Sequence, residues 1–104
     1  DSAQLASSGY SAQLASSGDF AQLASSGDYA KLASSGDSAV IAGIGRDNIA
    51  KGKIGSWITL AEWRFNREKN RWIPVCVKTE QIDGEKIKED TFYQLKNGEF
   101  VEYE

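Results

Sequence analysis

A nine-residue unit opens the chain and repeats almost without change. Residues 1–9 read DSAQLASSG, 10–18 YSAQLASSG, 19–27 DFAQLASSG and 28–36 DYAKLASSG. A fifth unit, 37–45 (DSAVIAGIG), drifts, and in a sixth, 46–54 (RDNIAKGKI), the apolar register shifts by one residue. A short fixed period marks stacked repeats, each too small to bury a core alone and each covered by its neighbours. The strict register also separates the array from low-complexity Ser/Gly disorder, which needs no Leu at every ninth position.

Within one unit the chemistry is that of a short strand and a tight turn. Ala3 and Leu5 stand two apart and share one face of an extended segment, while Gln4 and Ala6 share the other. The S-S-G-D stretch that follows supplies turn residues: Gly tolerates positive φ, and Ser and Asp bond nearby backbone. A helix is excluded, because a Gly beside each Ser pair would break it after about two turns. Nine extended residues cover about 30 Å and cannot close round a filled core, whereas two units, about 59 Å, can close as two thin facing sheets. The predicted fold class is all-β, a β-solenoid of about three coils with two units per coil. Units one, three and five then place Leu5, Leu23 and Ile41 in one column, and units two and four place Leu14 over Leu32. Ala3, Ala12, Ala21, Ala30 and Ala39 line the interior.

Residues 1–54 read as the nonapeptide-repeat solenoid and residues 55–104 as a C-terminal cap. Up to Asp47 there are five Asp against Lys31 and Arg46; beyond it ten acidic residues balance ten basic ones, and all three Trp and the single Pro lie there. Ile54, Ser56, Ile58 and Leu60 alternate with Gly55, Trp57, Thr59 and Ala61 in a two-faced strand. NREKN (66–70) is a polar turn, and 71–78 returns as a second strand in which Pro74 marks an edge or a bulge. Asp83-Gly84 and Asn97-Gly98 are two-residue hairpin signals, the second joining 91–95 to 99–103. The predicted cap is thus an antiparallel β-meander that covers the last rung, since an open sheet edge is an aggregation template.

Taken together, SAQLASSGD-type units running into KGKIGSWITLAEW (51–63) and closing with DGEKIKEDTFYQLKNGEFVE (83–102) resemble a group of uncharacterised bacterial and prophage-encoded proteins. The likeness covers the whole chain, and 51–63 with the cap is its most specific part. It implies architecture and phage ancestry, with a longer array behind a separate N-terminal domain; it implies no mechanism. The absence of Met makes Asp1 read as a cut end.

Composition narrows the chemistry. A net charge of −3 argues against a nucleic-acid surface. No His is present, which removes the commonest metal ligand and general base. The lone Cys76, between Val75 and Val77, cannot form an intramolecular disulfide and reads as a small buried residue rather than a nucleophile. No apolar run is long enough for a membrane helix, and no signal peptide opens the chain.

Calcium-binding nonapeptides carry a ligand Asp where this chain has Ala3, Ala12 and Ala21, and Asp19, Asp28 and Asp37 give one carboxylate per unit in a different turn position. They read as turn caps. Gly43-x-Gly45 is followed by no helix pattern and makes a poor phosphate loop. Glu89-Asp90 reads as solvated surface, and the few Thr lie outside the array, without the outward ranks of ice-binding solenoids. Tyr10, Phe20 and Tyr29 interrupt a Ser/Gln surface, as either a sparse contact patch or tolerated variation.

The sequence therefore points to a non-catalytic structural or interaction module, with no catalytic, cofactor-binding or metal-binding residues. The alternatives are the stalk of an enzyme or anti-host effector whose active domain lies upstream, or a designed solenoid scaffold. The expected partner is a second copy, in a weak homodimer through the exposed first rung, residues 1–18; nucleic acid and membrane are not expected. The expected location is the cytoplasm of a bacterial host or the virion.

Overall fold

The computed structural model describes residues 4–17 and 19–103, so the interior position expected for Ala3 lies outside the described residues. Ten strands follow one another, with no helix among the described residues: β1 (Gln4–Ser7), β2 (Gln13–Ser16), β3 (Gln22–Ser25), β4 (Lys31–Ser34), β5 (Val40–Gly43), β6 (Ile49–Lys51), β7 (Trp57–Asn66), β8 (Arg71–Gln81), β9 (Tyr93–Lys96) and β10 (Glu99–Glu102). They form two five-stranded sheets, β1-β3-β5-β7-β8 and β10-β9-β6-β4-β2. Successive units alternate between the sheets, so each coil holds two units and the chain forms a β-solenoid of about three turns.

The register is the one the period dictates. Leu5 pairs with Leu23 and Leu23 with Ile41 along one sheet, and Ile41 meets Ile58 of β7. Leu14 pairs with Leu32 along the other. Leu23, Leu32, Ile41, Ile58 and Leu60 are fully buried, with Ala21, Ala30 and Ala39 between them. Leu5 and Leu14, with a rung on one side only, are half-buried. In the sixth unit the strand register is unbroken: Ala50 takes the leucine column under Leu32, and the displaced bulk, Ile49, sits opposite Lys31.

Two interior substitutions in the last coil compensate each other. Asn48 stands where earlier units carry Ala, buried, and its Oδ1 accepts the Ala30 N–H at 2.8 Å. It fits because Gly43 replaces the serine of earlier units: a Cβ there would meet the Asn48 side chain at 3.0 Å. On the opposite wall Ser56 plays the matching part, its Oγ accepting the Ala39 N–H at 3.0 Å.

The turns differ from the sequence expectation. Among the described residues, positive φ falls on the second residue of units two to six, at Ser11, Phe20, Tyr29, Ser38 and Asp47, and not on the repeat glycine. A left-handed residue with a side chain costs about 1–2 kcal/mol. The compensating interaction is a hydrogen bond between coils: the N–H of Ser11, Phe20 and Tyr29 donates to the carbonyl of Asp28, Asp37 and Arg46, at 2.8, 2.8 and 2.7 Å. Glycine is needed for close approach instead. A Cβ on Gly27 would overlap the Gly9 carbonyl, and one on Gly45 the Gly27 carbonyl. In the first sheet the first serine of S-S-G holds this corner, as Ser7 Oγ and Ser25 Oγ accept the N–H of Gly9 and Gly27; in the second, the buried Ser34 Oγ makes no such bond.

The C-terminal part is also rearranged. Instead of one meander, two separate hairpins extend the two sheets: β7–β8 continues the first, and β9–β10 adds antiparallel to β6 in the second. The physical reason is that a two-sheet solenoid presents two open edges, and each takes its own hairpin. Gly55, at φ +97°, turns the chain, so the strand expected from Ile54 starts at Trp57. Asn97-Gly98, both at positive φ, makes the tight β9–β10 turn that was expected. Asp83-Gly84 makes no hairpin. Asp83 Oδ1 accepts the N–H groups of Glu85, Lys86 and Ile87, folding a loop that carries the chain from one sheet to the other. β8 is an edge strand, and a bulge opposite Glu62 and Trp63 leaves Val75 unpaired beside Pro74.

Candidate interaction surface

β7 pairs with β5 only from Trp57 to Leu60; from Ala61 onward it pairs with β8 alone. The β7–β8 hairpin therefore runs past the end of the rung as an arm, beside the turn that carries Arg46. Trp63 anchors it there, its indole Nε1–H donating to the Ile44 carbonyl at 2.9 Å. Near the arm's end Phe65 and Trp72 are cross-strand partners, with ring centroids 5.7 Å apart, edge to face.

Arg46 links this arm to the solenoid. Its guanidinium lies 4.4 Å from the Trp72 ring centroid and 5.8 Å from that of Tyr29, within cation–π range. Tyr29 in turn meets Tyr10 edge to face at 5.3 Å. A continuous file, Tyr10–Tyr29–Arg46–Trp72–Phe65, thus runs along one corner of the rod, and all four rings are exposed. Asp28 fixes the arginine: Oδ2 accepts from Nη2 at 2.9 Å and Nε at 3.1 Å, while Oδ1 accepts the Arg46 backbone N–H at 2.9 Å. That backbone bond, with the guanidinium behind it, holds the Asp28 carboxyl below its ordinary range, and the same pairing raises Arg46. Asp28, Arg46, Trp63 and Trp72, with Ser26 and Gly45, enclose an open cleft of about 270 Å³.

The residues singled out from sequence fall as follows. Tyr10 and Tyr29 meet, because they lie in turns one coil apart, whereas Phe20 belongs to the opposite corner, its N–H bonded to Asp37. Asp19 and Asp28 cap backbone in the next coil, Asp19 Oδ1 accepting the Asp37 N–H at 3.0 Å. Asp90 pairs with Lys53 at 2.6 Å, raising the lysine, and Glu89 accepts the Ile54 N–H. Gly43 and Gly45 are packing positions, and Cys76 is half-buried against the core. Sequence reasoning missed Arg46, Phe65, Trp63 and Trp72 as parts of one surface. A signal was present: Tyr10, Asp28 and Arg46 share the first position of alternate units, eighteen residues apart.

Comparison with protein-family models, curated proteins and solved structures returned no match.

Proposed function

We propose that the chain is a non-catalytic structural and interaction module: a rigid solenoid stalk, capped at its C-terminal end, that presents one aromatic corner to a partner. The observation that carries this is where its polar side chains are spent. Asp19, Asp28, Glu62 and Asp83 each accept backbone N–H groups and so hold turns and coils together. Of what remains outward, the rings of Tyr10, Tyr29, Phe65 and Trp72 are exposed along one corner. The two C-terminal hairpins serve as covers for the two sheets. At the other end β1 and β2 are outer strands with neither charge nor proline in QLAS to blunt them, and a weak homodimer through that rung belongs to the same proposal.

Inserting one further eighteen-residue coil after Gly27 tests the stalk. Small-angle scattering of the longer chain should show the same cross-section and a rod lengthened by about 4.8 Å, one strand spacing. A chain that gains girth or loses its compact profile would refute the stalk.

A further inference from the structure

We infer that the tip of the β7–β8 arm and the ring file beside it form one docking surface for an acidic polypeptide segment bearing an apolar anchor side chain. This deepens the interaction-module reading and rests on it. Residues 61–72, AEWRFNREKNRW, hold four basic side chains against two acidic ones in a chain whose net charge is −3. Glu62 is already committed to backbone amides of the neighbouring hairpin. Arg64, Arg67, Lys69 and Arg71 are all exposed, and none has a carboxylate partner among the described residues. Arg46, by contrast, is neutralised by Asp28 and serves as a platform between Trp72 and Tyr29.

The composition of this surface is that of a protein-binding hot spot. Trp, Tyr and Arg dominate such centres, and an anchor usually enters a pocket lined by them. The cleft between Trp63 and Trp72 has room for one such side chain. The unpaired cations beside it set the sign of the partner, since complementary charge steers encounter and fixes register. A bilayer suits the site poorly, because the tip, NREKN, offers no apolar residue to insert. A nucleic acid needs a basic stripe along its whole path, whereas the unpaired cations Arg64, Arg67, Lys69 and Arg71 are confined to the arm's end.

The test uses the whole chain and a labelled short peptide of Glu and Ser with one central Leu, read by anisotropy and by tryptophan fluorescence. The same peptide with Lys for Glu, the same peptide with Ala for Leu, an oligothymidylate and phosphatidylglycerol vesicles are the comparison probes. The Glu/Leu peptide should bind, and its affinity should fall about tenfold between roughly 50 and 500 mM salt. Exchanging Leu for Ala should weaken it several-fold. The triple variant Arg67→Glu, Lys69→Glu, Arg71→Glu, all at exposed turn or strand-end positions, should abolish binding with an unchanged far-ultraviolet spectrum. No binding at low salt, equal binding of the Lys peptide, indifference to the triple variant, or tighter binding to the oligothymidylate or the vesicles would each overturn the inference. The scattering experiment on the longer rod is independent of all of these, so failure here leaves the stalk standing.

Discussion

Glu62 of the first sheet clasps the Asn97-Gly98 turn of the second: Oε2 accepts the Asn97 N–H at 2.8 Å and Oε1 the Gly98 N–H at 3.0 Å. Lys78 completes the clasp from the other strand of the arm, donating to the Gly98 carbonyl at 3.3 Å. One carboxylate thereby ties together two hairpins that belong to different sheets. It also satisfies two N–H groups that a type I′ turn leaves free.

Replacing it tests the clasp. Glu62→Gln keeps the shape but offers one acceptor oxygen in place of two, and an uncharged one. A charge-assisted bond to backbone contributes about 1.5–3 kcal/mol, so the variant should lose about 1–2 kcal/mol in urea titration. The Asn97 and Gly98 amide resonances should shift most; unmoved amides would show that the clasp does not form.

The glycines of the repeat divide into two kinds. Gly27→Ala drives a methyl into the Gly9 carbonyl and should cost about 1–3 kcal/mol or more. Gly9→Ala meets only Ser7 Oγ, at an ordinary 3.5 Å, and should be near neutral. Equal losses in a denaturant titration would contradict the close contact between coils.

How much of this was legible in the sequence follows from what sets each feature. The leucine columns were legible because a fixed period with no insertions dictates strand register, and Leu5, Leu23 and Ile41 fall eighteen residues apart. The role of Gly27 was not, because it depends on the distance between one coil and the next, which no property of a single unit encodes. The same holds for Asn48 and Gly43, two departures from the repeat that make sense only as a pair across the interior. Of the candidate surface, the two tyrosines were visible as outward residues. Their continuation through Arg46 to Trp72 required knowing that the arm overshoots its rung.

Burial along the rod should be graded. Leu32→Ala empties a fully enclosed position and should cost about 2–5 kcal/mol, whereas Leu5→Ala, half-buried in the outermost described rung, should cost about 1 kcal/mol or less. Urea unfolding followed by tryptophan fluorescence measures both, and equal costs would contradict the stacking order.

Acid should loosen the corner that carries the ring file. Asp28 has its pKa lowered in the folded chain, chiefly by the Arg46 backbone N–H. Its contribution is therefore complete above the ordinary carboxyl range and lost as pH falls through the depressed value. Asp28→Asn should be less stable than the parent at neutral pH. It should also lose less on acidification from about pH 5 to about pH 2 than the parent does. Parallel melting curves across that window would contradict the pairing.

The central claim, that two units make one coil, is tested most directly by spin labels on the outward faces of neighbouring strands. In a Cys76→Ser background, nitroxides replacing Ala24 and Ala42, which are register partners on adjacent strands of one sheet, should sit one strand spacing apart, about 4.8 Å at the backbone. Their spectrum should show strong spin exchange. Nitroxides replacing Ala24 and Ala33, only nine residues apart but on opposite sheets, should show none. Exchange in the second pair and not in the first would mean that each coil holds a single unit, and the two-sheet solenoid would be wrong.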